Sequence, residues 1–216
     1  MPVLFEQCQV LGHNWNMAMR QATRATYHHG DLEAALLDTA KKLIKRNGPA
    51  NLSLREVAHE VGVSPSAAYH YFPDKDSLIS AIGDELFEDL AKMEIEAVAQ
   101  ISGTSALAAR KRFRAIGIAY FNWAKKQSHL FHLMFGGFCN KDGKEDYASN
   151  PAFNLLSEVI DGLVESGAMP KAKRPGSEII AWTGVHGATN LIIEGHLPEE
   201  AFELVLDGIE RGLSIR

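Results

Sequence analysis

The stretch that most constrains this 216-residue chain is LSLREVAHEVGVSPSAAYHYFPDKDSL, Leu52 to Leu78, because three helix starts and two stops fall within it. Ser53 and Glu56 have the spacing of a capping box, in which each side chain takes an orphan amide, and Val57, Ala58 and Val61 give the helix that follows an inward face. That helix is short and ends near Gly62. Ser64 caps again and Pro65 takes the first helical position, where a missing N–H costs nothing, so the next helix runs from about Pro65 to Tyr71. Pro73 stops it and Asp74 caps another. Two short helices meeting across Val61-Gly62-Val63 have the spacing of a helix-turn-helix, with glycine at the turn permitting a steep crossing.

The flanks extend this pattern. Leu32, Leu36, Thr39, Ala40 and Leu43 share one face of a preceding helix that starts at Asp31 and stops at Asn47-Gly48-Pro49. A long helix follows Asp74, with Leu78, Ile82, Leu86, Leu90 and Met93 inward. Beyond it come helical pieces at about 105–127, 129–135, 150–167, 177–196 and 199–214, with no strand alternation and no internal repeat. The expected fold is therefore all-α, with nine helices. A three-helix head carrying the helix-turn-helix is fused through a long fourth helix to a larger helical body. Residues 1–26 are read as a disordered leader or basic arm, 27–75 as the head and 76–216 as the body.

Composition is that of a globular protein, 46% hydrophobic and 23% charged. Cys8 and Cys139 are the only cysteines and sit in no pair spacing, which excludes a disulfide scaffold and fits a reducing cytoplasm. No apolar run approaches the roughly 18 residues of a membrane span. Net charge is −5, yet residues 20–75 hold eight Lys/Arg against six Asp/Glu, so a DNA-facing head on an acidic body is allowed.

A helix entering the major groove brings its N-terminal half close to base edges, and Ser64, Pro65, Ser66 and Ala67 are small enough to allow it. Tyr69 and Tyr71 lie on its later turn, where a phenol reaches a phosphate while its ring packs on protein. Phe72 anchors the helix to the core. Lys75, at the start of helix four, combines an ammonium with free amides and a positive dipole end. Ser53, Arg55, His70 and, in the leading arm, Arg24 complete the expected DNA-binding set.

In combination, Ser53, Ala58, Gly62, Val63, Ser64, Tyr69, Tyr71, Phe72 and Lys75 resemble the N-terminal signature of the TetR family of transcriptional regulators over about residues 28 to 78. The resemblance implies a regulator, most often a repressor, released from palindromic double-stranded operator DNA by a small-molecule effector. Pro65, Ser66 and Ala67 depart from the family pattern, which places a hydroxyl where Ala67 stands. No Arg, Gln or Asn lies on this helix, so base readout is left to Ser66, His70, methyl contacts and DNA shape.

The resemblance also implies a ligand-binding body and a homodimer built by the last two helices. Trp182-x-x-x-His186-Gly187 and SHLFHLMF, Ser128 to Phe135, are similar to one C-terminal subgroup of the family. Gly184, Gly187 and Leu191 in the penultimate helix, with Phe202, Val205 and Ile209 in the last, are the expected dimer face. An aromatic concentration marks the expected pocket: Phe113, Tyr120, Trp123, Phe131, Met134, Phe135, Phe153 and Trp182, with His186 as a polar contact. Such a stripe also serves as plain core. His129 and His132 share a face but lack a neighbouring carboxylate or thiol, so no metal is expected. The sequence contains no phosphate loop or nucleophile elbow, so neither an enzyme nor a cofactor is expected. The competing reading is an all-helical small-molecule binding protein without DNA function, which leaves Tyr69, Tyr71 and Lys75 without purpose.

Overall fold

The computed structural model describes residues 29–135 and 150–216. The leader at 1–26 with Arg24, and Cys139, lie outside the described residues. Those described form nine α-helices and two 3-10 turns, with no strand among them. None of the helices is long and apolar enough to cross a membrane.

Helix α1 (His29–Asn47) buries Leu36, Leu37, Ala40, Leu43 and Ile44. It stops where Gly48 turns to a φ of 76° and its N–H donates back to the Ile44 carbonyl at 2.8 Å. A 3-10 turn, Pro49–Asn51, leads to α2 (Leu54–Val61), which buries Leu54, Val57 and Ala58. Ser53 does precede α2, but the expected capping box does not form, and its side chain takes no amide. Glu56 instead turns its carboxylate toward Arg46 at the end of α1, 3.8 Å away.

The turn after α2 is a Schellman motif. Gly62 is left-handed at φ 83° and ψ 27°, its N–H bonds to the Ala58 and His59 carbonyls, and the Val63 N–H reaches Ala58 at 2.9 Å. This fixes the departure of α3 (Pro65–Tyr71), whose first turn is capped by Ser64 Oγ accepting the Ala67 N–H at 3.3 Å. Ala68 is wholly buried and Phe72 closes the head core. The reciprocal box absent at Ser53 is present at Asp74: Oδ1 accepts the Ser77 N–H at 2.7 Å while Ser77 Oγ accepts the Asp74 N–H at 3.2 Å.

There begins α4 (Lys75–Ala99), 25 residues and roughly 37 Å long at about 1.5 Å per residue. It buries Leu78, Ile82, Leu86 and Leu90 as expected, but Met93 is exposed. The inward ladder continues in steps of four to Glu94, which takes the buried position expected of Met93. Around α4 pack α5 (Ala106–Lys126), α6 (Ser128–Phe135) and α7 (Pro151–Glu165); α8 (Ser177–Ile193) lies against α5 and α7, and α9 (Ala201–Leu213) against α8.

Head and body meet through α1. Lys41 Nζ donates to Glu85 of α4 at 2.8 Å, and His129 Nδ1 of α6 donates to the last-turn carbonyls of Lys45 at 2.9 Å and Ile44 at 3.2 Å. The far end of the body is closed by α9. Arg110 bonds Glu210 in bidentate fashion at 2.9 and 2.8 Å, and Arg114 reaches Glu210, Asp207 and Glu203. Burial alone raises the Glu210 carboxyl, but the two guanidiniums outweigh it and hold the group below its usual value.

Four of the six residues expected at a dimer face are therefore committed within the chain. Phe202 stacks on Phe121 with ring centroids 4.2 Å apart, Ile209 is buried, Val205 is partly buried, and Gly184 faces both Ile209 and Val205. The apolar stripe of α9 is real, but it serves the core of its own chain. Gly187 and Leu191 remain on the open side of α8.

A Cβ at Gly184 stands 2.9 Å from Ile209 Cδ1, so Gly184→Ala wedges α8 from α9 and costs about 1–3 kcal/mol in urea unfolding. Ile209→Val removes that Cδ1. The double variant is expected to lose less than the sum of the single losses, and strict additivity would show that the wedge is not the cause.

Candidate functional site

Two regions gather the sequence-predicted residues. The first is the outer side of the helix-turn-helix. Ser64, Pro65 and Ser66 are exposed, Ala67 is half-buried, and Tyr69 and His70 are exposed on the following turn. Tyr71 is partly buried against the core, its ring edge-on to His70 at 5.6 Å. The first turn of α3 is thus slim and accessible, held at a fixed angle by Gly62 from behind and by Ala68 from below. Ser53 and Arg55 are exposed at the start of α2. Lys75 is half-buried at the start of α4, where its ammonium donates to the Ala50 carbonyl at 3.0 Å. That bond ties α4 to the turn after α1 and stations the cation at the N-terminal end of α4.

The second region is a cavity of about 530 Å³ lined by α4 to α8 and by Leu206 of α9. Of the nine residues expected there, Phe113, Tyr120, Met134, Phe135, Phe153 and Trp182 line it. Trp123 and Phe131 do not. On α5 the lining runs Phe113, Ile116, Gly117, Tyr120, and Trp123 lies one step beyond it, fully buried, with no partner for its indole nitrogen among the described residues. Phe131 is one turn before Phe135 on α6, wholly buried behind it at 5.2 Å between ring centroids. His186 stands behind Tyr120, its Nδ1 2.8 Å from the Tyr120 hydroxyl. Burial lowers the His186 pKa and drives that of Tyr120 well above the ordinary phenol value, so a protonated phenol shares this hydrogen bond with a neutral imidazole.

The sequence reading missed the acidic side of this cavity. Asp84 and Glu88 lie at its edge on α4, both exposed, and Glu94 lines it from within at 2% exposure. Glu94 Oε2 is buried with no hydrogen-bond partner among the described residues. Burial, with no neighbouring charge contributing, pushes this carboxyl up to about 8. The available signal was the step of four from Ile82 through Leu86 and Leu90 to Glu94, a carboxylate where the pattern demands an apolar residue.

A carboxyl with its pKa raised on folding binds its proton more tightly in the native state, so stability falls as pH rises between the unfolded value near 4.5 and the folded value of about 8. The slope attributable to Glu94 approaches about 1.4 kcal/mol per pH unit within that window. Urea unfolding at pH 5, 6.5 and 8 is expected to show this fall, and Glu94→Gln to flatten it. Identical slopes in both proteins would mean that Glu94 is not the titrating group.

Comparison with known proteins agrees with this geometry at both ends of the chain. Residues 36–82 match the family described as "Bacterial regulatory proteins, tetR family", and residues 113–209 match "Tetracyclin repressor-like, C-terminal domain". Over 57 residues the chain is 40% identical to the HTH-type transcriptional regulator BetI of Brucella canis, a match covering 26% of this chain and 29% of the relative's length. A protein of unknown function from Rhodococcus sp. RHA1 shares the fold with a TM-score of 0.72 and 28% identity, covering 88% of this chain and 99% of that one. A TetR family transcription regulator from Marinobacter aquaeolei VT8 superposes with a TM-score of 0.60 at 18% identity, covering 85% and 96%. A helix-turn-helix head, the long α4 and a hollow helical body therefore come together in a chain that belongs to the TetR family of bacterial regulatory proteins.

Proposed function

We propose that the protein is a cytoplasmic, DNA-binding transcriptional regulator, a repressor that holds a palindromic operator as a homodimer and lets go when a small molecule enters the cavity. The observation that carries this reading is the slim, exposed first turn of α3, flanked by Tyr69 and by Lys75 at the start of α4. Small side chains admit the helix to a major groove, while the phenol and the ammonium meet the phosphates on either side. In this reading Ser66 and His70 face base edges, and Arg55, Tyr69, Tyr71 and Lys75 contact the backbone. A carrier without DNA function has no use for that surface.

A twofold site sets two recognition helices about 34–36 Å apart or a multiple of that distance, so any ligand that shifts α4 spoils the match. Coupling of roughly 1–3 kcal/mol between the two sites is the usual scale for such control. The homodimer is supported by the large apolar side chains that α8 and α9 leave outside: Ile180 at 52% exposure, Leu191 at 41% and Leu204 at 69%, with Gly187 open between the first two.

An electrophoretic shift with the DNA upstream of the protein's own gene tests the whole reading, and the absence of any shift would refute it. Lys75→Ala is expected to weaken binding about equally on all sequences and to flatten the plot of log affinity against log salt by about two units per dimer, roughly 0.9 for each lost phosphate contact. An unchanged slope removes Lys75 from the interface. Leu191→Glu combined with Leu204→Glu is expected to give a folded monomer in sedimentation that no longer shifts the DNA. A dimer that survives both charges places the interface elsewhere.

A further inference from the structure

The cavity contains an unusual asymmetry of charge. Among its described lining residues are three carboxyls, Asp84, Glu88 and Glu94, and not one lysine, arginine or histidine. Lys92 pairs with Glu88 and Asp89 on the outside of α4 and is not part of the lining. The remaining walls are mainly apolar, and six of the lining residues are aromatic, among them Tyr120, Phe135 and Trp182. The inner acid, Glu94, is 2% exposed, and its Oε2 is an acceptor with nothing to accept from among the described residues. A buried acceptor left in that state costs stability that a ligand donor recovers on binding.

We propose that the cavity recognises a primary amine in its protonated form carried on an apolar body, with the ammonium donating to Glu94 Oε2 and the body lying among the aromatic walls. This deepens the effector reading above and rests on it for its biological meaning, though not for its chemistry. Among the described lining residues an anionic ligand meets three acids and no basic side chain. A neutral ligand satisfies the oxygen but gains nothing from the acidic edge. An ammonium gains on both counts, since charge-assisted hydrogen bonds are the strong ones and aromatic faces attract cations. A quaternary ammonium has the charge but no N–H, and so leaves Oε2 unpaired. The volume of about 530 Å³ suits a ligand of drug-like size.

Binding carries a proton with it. In the empty cavity Glu94 holds its proton at neutral pH, because burial has pushed the carboxyl up to about 8. When an alkylammonium arrives, the Glu94 O–H bond breaks, the proton leaves to solvent and the carboxylate pairs with the intact ammonium, so charge and atoms balance. The titratable neighbours facing Glu94 do not supply this proton. Asp84, raised by burial and by Glu88, and Glu88 itself sit at the exposed edge of α4. Tyr120 of α5 is held protonated far above neutrality, and His186 of α8 is neutral behind it.

The test is calorimetry of the full-length protein at pH 7 with four ten-carbon probes below micelle formation: decylamine, 1-decanol, decanoate and decyltrimethylammonium. Decylamine is expected to bind roughly tenfold or more tightly than decanol, the scale of a charged hydrogen bond, with decanoate and the quaternary probe weaker than the amine. Glu94→Gln is expected to erase the preference for amine over alcohol. Titrations in buffers of different ionisation enthalpy are expected to show release of about one proton per amine bound by the unaltered protein, a readout that needs no variant. The proposal is overturned if decylamine does not bind, if decanol, decanoate or the quaternary probe matches it, if its advantage survives Glu94→Gln, or if no proton is released. DNA release by decylamine is scored separately by gel shift. A protein that binds the amine in this way yet keeps its DNA refutes the regulatory reading and leaves the amine site standing.

Discussion

A single uninterrupted helix, α4, is packed against α1 of the head and against α5, α6 and α7 of the body, and the continuous apolar core that results is what makes one molecule of two units. Its first turn is fixed by a reciprocal cap between Asp74 and Ser77. Leu78, Ile79, Ile82, Leu86 and Leu90 then run buried along it. Because the backbone hydrogen bonds of an α-helix resist bending without a proline or an inserted residue, displacement at one part of this beam is felt along its length. The site facing solvent near Lys75 and the cavity around Glu94 therefore share a mechanical element as well as a chain.

Polar groups are used differently at the two ends of the body. At α9 the buried Glu210 is fully compensated by Arg110 and Arg114, which makes that corner rigid and leaves little for a ligand to gain. At the cavity, Glu94 is at least as buried and lacks any such partner among the described residues. The two acids thus have opposite pKa directions: the guanidiniums of Arg110 and Arg114 outweigh burial at Glu210, whereas burial acts alone at Glu94. Stability has been conceded at one and secured at the other, a common pattern for a structural corner and a working site.

Much of the head was legible because its signals are local. Ser64, Pro65, Gly62 and Asp74 each act within a turn of themselves, so the span of α3 and the left-handed stop before it follow from sequence alone. At Ser53 the expected box is absent, and Glu56, its other half, faces Arg46 of another helix instead. The body was less legible. In a 25-residue helix with core on several sides, a small error in phase exchanges Met93 for Glu94. Trp123 and Phe131 carry the same composition as the true lining and differ only by one turn of register. The penultimate helix is apolar almost all round, so periodicity does not tell which side meets α9 and which stays open. The apolar stripe of the last helix, with Phe202 and Ile209, fits a dimer face and an internal core equally well by pattern, and the packing on Phe121 and Gly184 shows that both side chains serve the core of their own chain.

The shortest α-helix of the body among the described residues, α6, has eight residues, about 12 Å from end to end. Met134 and Phe135 at its C-terminal end are wall of the cavity, while His129 at its other end grips the two carbonyls that finish α1. One short helix thus joins the cavity wall to the last turn of α1 directly, so in the proposed regulatory reading a ligand pressing on Phe135 has a second, shorter connection to the head beside α4.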